Sequence, residues 1–232
     1  MVIDEIPTDK VRIIMSPAEA EGIGDRAYFD TWYKGRTPDF YTGILREIIQ
    51  FGRPGTILDL GCGAGFFMEL ATQWGIDVWG IYGSHDALKL ALERVPTLKV
   101  RQWHLSNSLP FPEQSFDNVL LNQVVEHLPP TVLVTVLSEC YRILRPEGVV
   151  FVFSPAKANR AEVEKDPTHC NPLHPSELRN YLRSAGLVIV QEPNSARFFQ
   201  HRPLLSKLMK RILRTAAEDW LSGTANAYAK RP

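Results

Sequence analysis

The sequence is short of cysteine, has no excess of either charge and contains no long apolar run, and each shortage excludes something. Three cysteines, Cys62, Cys140 and Cys170, are spread over 232 residues with no paired spacing. An odd number so placed argues against a disulfide framework and fits a reducing cytoplasm, the compartment expected here. Lysine plus arginine number 26 and so do aspartate plus glutamate, which leaves a formal charge of zero. A general binder of nucleic acid or of membrane surfaces carries a basic excess, so neither partner is expected. No apolar stretch approaches the length that spans a bilayer. The first ten residues, "MVIDEIPTDK", are acidic and lack the apolar centre of a secretory signal, so none is expected. What remains is an ordinary globular composition, 44% apolar and 22% charged, at a length that suits one decorated domain.

From about residue 38 short apolar runs alternate with helical patterns. Strands are predicted at 55–61, 76–82, 98–105, 116–122, 149–154, 187–193 and 223–230. Helices are predicted at 66–75, 84–95, 129–148 and 174–186, placed by apolar spacing and by closing signals such as Gly75, Pro146-Glu147-Gly148 and Gly186. Strands alternating with helices give an α/β fold, here a Rossmann-like, seven-stranded, mostly parallel sheet with helices on both faces. Ligands bind such sheets at the carboxyl ends of the strands, near the switch in strand order. The loops after residues 60, 82, 105, 122 and 154 are therefore expected to share one crevice. Residues 1–50 are expected to form a helical lid segment, and residues 51–232 the core. An inserted helix at about 196–222 carries Lys207, Lys210, Arg211 and Arg214 at helical spacing.

The strongest local signal is "LDLGCGAGFF", residues 58–67. A strand runs into Gly61, Gly63 and Gly65, and a helix follows. Glycines there permit positive φ angles and a close approach of backbone to ligand, with the helix-start amides facing the crevice. The dinucleotide fingerprint G-x-G-x-x-G would need a third glycine at position 66, which is Phe66. A bulky residue there leaves less room for a pyrophosphate and favours a cofactor with an adenosine but no pyrophosphate. Glycine-rich turns of this kind also serve packing alone, Asp59 can simply satisfy buried amides, and Cys62 reads first as a small buried residue.

The run "ILDLGCGAGFF" resembles the first motif of the class I S-adenosylmethionine-dependent methyltransferases. "LPFPEQSFDNVLLNQVVEHL" (109–128) and "YRILRPEGVVFVF" (141–153) are similar to the fourth and fifth strand regions of the subgroup that includes the ubiquinone-pathway methyltransferases. The resemblance covers about residues 50–190. It implies that S-adenosyl-L-methionine is the cofactor and that a small-molecule acceptor is methylated, at oxygen or nitrogen. It would set Gly61, Cys62, Gly63 and Gly65 against the methionine part, with Asp59 ordering the loop. Tyr82, Gly83 and Ser84 would face the ribose, Ser106 and Asn107 would lie near the adenine, and Asn122 and Gln123 would close the crevice behind the sulfonium.

Two departures stand out. A ribose-binding acid is expected about 20 residues beyond the first glycine, and that register holds Tyr82. Relatives often carry a second acid four residues before "LPF"; here it is Leu105. Ser84, His85 or Asp86 could compensate from the helix start. For the chemistry, His127 in "VVEHL" and His169 in "DPTHCNPLHP" (166–175) are the candidate bases, with Asp166 and His174 beside them in sequence. Their spacing is a poor metal signature, and no metal is expected. In "RAYFDTWYKGR" (26–36), Tyr28, Trp32 and Tyr33 are candidates to cover the ligand. Two other classes compete: a non-catalytic member that binds a ligand or partner in the same crevice, and a nicotinamide dehydrogenase, disfavoured by Phe66 and Tyr82. "NQVV" lacks the proline-aromatic signature of amino-methylating DNA enzymes.

Overall fold

Ile57–Leu60 is buried at every position, as the centre of a parallel sheet requires, and forms β1. A computed structural model describes Tyr28, residues 38–191 and residues 222–232. Helix α1 is Pro38–Phe51. After β1 come α2 (Phe66–Gln73), β2 (Val78–Tyr82), α3 (His85–Arg94), β3 (Lys99–Gln102) and β4 (Phe116–Asn122). A single 3-10 turn at Val125–His127 leads to α4 (Pro130–Ile143) and β5 (Leu144–Phe153). The chain continues through α5 (Arg160–Val163), α6 (Pro175–Ser184), β6 (Val188–Gln191) and β7 (Ala227–Lys230).

The strand order is β3-β2-β1-β4-β5-β7-β6. The first five strands run parallel, and β7 runs antiparallel to both β5 and β6. The expected seven-stranded sheet is therefore present. Alternation along the strands splits the core into two layers. Leu58, Leu60, Val150 and Val152 pack with Leu133 and Leu137 of α4 and with Leu178 and Leu182 of α6. On the other face Ile57, Leu120, Phe151 and Tyr228 pack with Leu45 of α1, Met68 of α2 and Leu88 of α3. Helix α1 thus belongs to the core layer, and the boundary drawn at residues 50 and 51 falls inside it. The inserted helix at about 196–222 lies, except for residue 222, outside the described residues, as do Trp32 and Tyr33.

Element bounds depart from expectation most informatively at three places. Helix α4 ends at Ile143 instead of continuing to 148. Pro146 has no amide to donate and drives Arg145 out of the helical region. The chain turns extended at Leu144, which pairs with Phe116; the next pair is Asn118 with Val149, so Arg145–Gly148 bulges between them. Glu147 takes a positive φ of 64° there, and Arg145 Nη1 binds Asp117 Oδ2 at 2.6 Å. Strand β3 stops at Gln102 rather than 105, releasing Trp103 and His104 into the following loop. Strand β7 covers only Ala227–Lys230, while Thr224 makes an isolated bridge to Pro155.

The order switches between β1 and β4. Chain leaving β1 goes one way to α2, and chain leaving β4 goes the other way to α4. Their carboxyl ends part there and open a crevice.

Candidate active site

A cavity of about 460 Å³ occupies that crevice. The loops after β1, β2, β3 and β4 supply its walls: Gly61, then Tyr82 and Gly83, then Trp103 to Ser106, then Gln123, Val124 and His127. Tyr28 and the start of α4 complete it. Of the residues expected at the cofactor, Gly61, Tyr82, Gly83, Ser106 and Gln123 line this space.

Gly61 has φ 90°, and a Cβ there would stand 2.5 Å from Val124 Cγ2. Both facts demand glycine, because only glycine brings the backbone of the β1 loop this near the β4 loop. Gly65 starts α2 in the left-handed region, and a Cβ on it would lie 2.9 Å from Ala91 Cβ, so it lets α2 approach α3. Gly63 sits between them in the same turn with φ 53°. Cys62 is buried under Gly80, and burial, with Asp59 adding to it, pushes its thiol well above the ordinary range. It is a packing residue held as the thiol.

Asp59 is 3% exposed, and burial pushes its carboxyl up to about 7. Asn122 closes β4, two residues beyond Leu120, the register partner of Asp59. Its side-chain Oδ1 is buried with no hydrogen-bond partner among the described residues. A carboxyl that titrates near neutrality and an unsatisfied buried acceptor, placed together at the switch point, suit the ammonium of an amino-acid-bearing ligand. The methionine end of S-adenosylmethionine has that chemistry, and these residues fit it.

The opposite rim is built differently. The Gly83 carbonyl accepts from Gln102 Nε2 at 2.9 Å, and the Trp103 amide donates to the Tyr82 carbonyl at 2.9 Å. The His104 ring lies beside Gly83, where a Cβ would meet its Cε1 at 3.5 Å. Ser84 faces its own helix, accepting from the Ala87 amide at 3.3 Å as the N-cap of α3. Asn107 is exposed and its amide closes a turn onto the His104 carbonyl at 3.1 Å. Among the described residues, none that lines the cavity carries a carboxylate. Trp103 and His104 were missed in the sequence because β3 was expected to run through them; the rule that loops after strands form the crevice finds them once β3 is shortened.

The histidine wall joins two loops. Gln123 leaves β4 with φ 58°, and its amide donates to the Phe153 carbonyl at 2.7 Å. The turn that follows carries Glu126, fully buried, and His127. Residues 166–171 are fastened onto this turn. The Asn171 amide donates to the Glu126 carbonyl at 2.9 Å, Cys170 Sγ to the His127 carbonyl at 3.3 Å, and the His127 and His169 rings lie 4.7 Å apart. His174 goes elsewhere: it starts α6 in a reciprocal capping box with Glu177. So His127, His169 and Asp166 come together, and His174 does not join them. Donor atoms of Glu126, His127 and His169 all lie within 4.8 Å of one another, a grouping that could hold a metal ion and that the spacing in sequence does not reveal.

Residues 58–152 match the family described as a methyltransferase domain. The match covers less than half of the chain. A protein of Mycolicibacterium smegmatis named "Probable S-adenosylmethionine-dependent methyltransferase" is 31% identical over 136 residues, 57% of this chain and 52% of the relative. A ubiquinone biosynthesis O-methyltransferase of Paraburkholderia phymatum is 30% identical over 151 residues, 57% of this chain and 64% of the relative. The chain thus spans about half to two thirds of the length of these curated relatives. The crystal structure of an S-adenosylmethionine-dependent methyltransferase from Archaeoglobus fulgidus superposes with a TM-score of 0.61 at 25% identity, covering 84% of this chain and 94% of that one. The matched stretch of the methyltransferase domain runs from β1 into β5, so it includes the glycine loop, the parted strand ends and His127.

Proposed function

We propose that the protein transfers a methyl group from S-adenosylmethionine to an oxygen or nitrogen of a small molecule. The observation that carries this reading is that the buried Asp59 carboxyl and the unsatisfied Asn122 Oδ1 stand on adjacent strands that lead into the strained Gly61 turn and its neighbour. These would hold the amino-acid end of the cofactor. Gly63 and Gly65 would shape the turn, Tyr82 and Gly83 would face the ribose, and Leu105 and Ser106 would border the adenine. Gln123 would close the space behind the sulfonium. When bound, the cofactor supplies an electrophilic methyl carbon whose bond to sulfur breaks as the acceptor's lone pair attacks. The protein's task is alignment in a space shielded from water, together with removal of the acceptor's proton. His127 lines the cavity and is assigned as the base; His169, in ring contact with it, completes that wall.

The absent rim carboxylates favour one other reading, a methyltransferase-shaped protein that binds a ligand or partner without turnover. Calorimetric titration with S-adenosylhomocysteine separates the two. Heat and a raised melting temperature below millimolar ligand are expected. No heat and no thermal shift at millimolar ligand, with no S-adenosylmethionine consumed against an acceptor panel, refutes methyl transfer. A cytoplasmic site of action is part of the proposal. It is supported by cysteines that are free among the described residues. No helix among those residues is long and apolar enough to cross a membrane.

A further inference from the structure

A fully buried carboxylate and two imidazoles meet at the histidine wall. Glu126 and His127 lie in the 3-10 turn after β4, and His169 lies between α5 and α6. Donor atoms of the three all lie within 4.8 Å of one another. Ligands at about 2.0–2.1 Å from a tetrahedral ion stand about 3.3 Å apart, so the group has to close by at most about 1.5 Å to hold one. The set is assembled across two loops, so no spacing within either loop announces it. Backbone contacts clamp the two loops together at the donors themselves. The Asn171 amide donates to the Glu126 carbonyl at 2.9 Å and Cys170 Sγ to the His127 carbonyl at 3.3 Å, which fixes the chain beside His169 against the other two.

Both rings are oriented from behind. His127 Nδ1 lies 2.9 Å from Thr168 Oγ1, which lies 2.5 Å from Asp166 Oδ1, and His169 Nδ1 lies 3.0 Å from the Val163 carbonyl. Metal-binding histidines are held in this way, with one ring nitrogen on the ion and the other on a carbonyl or carboxylate, here reached through a hydroxyl. None of the three residues has to be idle beforehand. Any proton or contact they hold is displaced as the ion enters, and such sites release protons on loading. A carboxylate taken wholly out of water is costly unless it is neutralised, and an ion shared with two imidazoles neutralises it. Two imidazoles and one carboxylate suit a divalent transition ion, whereas magnesium and calcium prefer oxygen alone. Three protein ligands also leave a fourth position, and His127 lines the cavity.

We propose that Glu126, His127 and His169 bind one divalent transition-metal ion of the zinc class, with Nε2 of each ring as ligand and a fourth position open to the cavity. The use of the ion rests on the proposed methyl transfer; its binding does not. In the transfer, the open position takes a hydroxyl of the acceptor, which narrows the accepting atom to oxygen. A zinc ion lowers the pKa of bound water from about 15.7 to about 7, and a coordinated hydroxyl is acidified in the same sense. Its proton leaves to water and the oxyanion stays on the ion. The oxyanion's electron pair then forms the bond to the methyl carbon, and the sulfur keeps the pair of the bond that breaks. His127 takes the proton directly only in the metal-free chain; with its lone pair on the ion it acts through the ion.

The test titrates the full chain, stripped with a chelator and dialysed free of it, with cobalt(II) chloride, a zinc substitute visible to absorption and to NMR. The expected result is one cobalt per chain, displaced by zinc chloride, with two hyperfine-shifted imidazole N–H signals in the proton spectrum. Glu126→Gln and His169→Gln should each weaken binding by more than about a hundredfold, beyond what a supporting contact costs, and Thr168→Val by about tenfold, within it. His169→Gln should also remove one of the two signals. Circular dichroism and melting confirm that each variant is folded, and the two-signal count in the wild type decides where one is not. No cobalt bound, a bound cobalt without two imidazole signals, or unchanged affinity in the folded Glu126→Gln and His169→Gln proteins overturns the site. Azide should change the wild-type cobalt absorption by entering the open position; an unchanged spectrum overturns the ion's part in the transfer. Titration of the same samples with S-adenosylhomocysteine keeps the outcomes apart. Cofactor binding without cobalt binding defeats the metal site alone, and cobalt binding without cofactor binding defeats the proposed function alone.

Discussion

The two ends of the cavity are made by opposite strategies. At the β1 and β4 end the wall begins at the Gly61 turn, a carboxyl and an amide are buried on the strands that lead into it, and the glycines are fixed by contacts inside the fold. At the β2 and β3 end the walls are side chains, and these include Tyr82, Trp103, His104 and Leu105, with no carboxylate among them. The difference teaches that the parts of a ligand site enforced by packing persist in recognisable form. Parts that depend on one exchangeable side chain can be rebuilt with other chemistry. Main-chain recognition comes with the fold; side-chain recognition has to be read position by position.

The largest effect expected is at the main-chain end. Gly61→Val adds a branched side chain at φ 90° where a Cβ already meets Val124 Cγ2 at 2.5 Å. Backbone strain and overpacking each cost about 1–3 kcal/mol. Affinity for S-adenosylhomocysteine by calorimetry should fall by more than about a hundredfold, a loss of over 2.7 kcal/mol, with a lowered melting temperature. Retained affinity would break the comparison, because the close backbone approach would then not be what holds the ligand.

Next is the side-chain end. Tyr82→Asp restores an acceptor for two ribose hydroxyls. Hydrogen bonds to a charged group contribute about 1.5–3 kcal/mol, so the same titration should show binding tighter by about ten- to a hundredfold. Weaker binding would mean that the tyrosine ring is itself the grip on the sugar.

Asp59 gives a pH signature. Its ordinary value is 3.8 and in the fold it is about 7. Between these values the folded protein holds a proton that the unfolded chain has released. Its contribution to stability is therefore greatest at low pH, declines as pH rises from about 4 to 7, and is flat above that. The ligand responds with the opposite sign, because an ammonium binds the ionised form. Affinity should rise about tenfold from pH 6 to pH 8 as the ionised fraction grows. Asp59→Asn should flatten both curves, measured by melting and by calorimetry across pH. A pH-independent wild-type affinity would remove Asp59 from the ammonium site.

The smallest effects separate support from contact. Ser84→Ala removes the N-cap of α3 and should cost about 1 kcal/mol of stability in chemical denaturation, with affinity changed less than threefold. Asn107→Ala, at an exposed turn, should alter neither.

The order of strands and helices was legible because nearly every strand is an apolar run bounded by glycine, proline or a capping residue, and because buried parallel strands leave no polar face to confuse the pattern. The glycine loop was legible for the same reason that Gly61 cannot be replaced: the residue type is dictated by backbone geometry. The bulge at Arg145–Gly148 could have been read from Pro146, which ends a helix whatever the apolar spacing beyond it says. The histidine wall could not be read. Thr168 and Asp166 lie some 40 residues from His127 in sequence, and nothing local to either loop shows that a backbone bond from Asn171 to Glu126 will dock one on the other. Ser84 and Asn107 show the limit in reverse: a motif position predicted residues near the ligand, while helix capping and turn closure account for where their atoms sit.

Strand β7 follows β6 in the chain, yet it lies between β5 and β6, with Lys230 in register with both Val149 and Val188. During synthesis, then, the strand Val149–Val152 waits with one edge bare until Ala227–Lys230 leaves the ribosome, and β6 has no sheet to join before that moment. An unpaired, apolar strand edge is a template for sticking to another chain. A nascent protein stalled before Ala227 presents that template in full. Pairing of Ala227–Lys230 with both neighbours is what covers that edge and joins β6 to the parallel half-sheet.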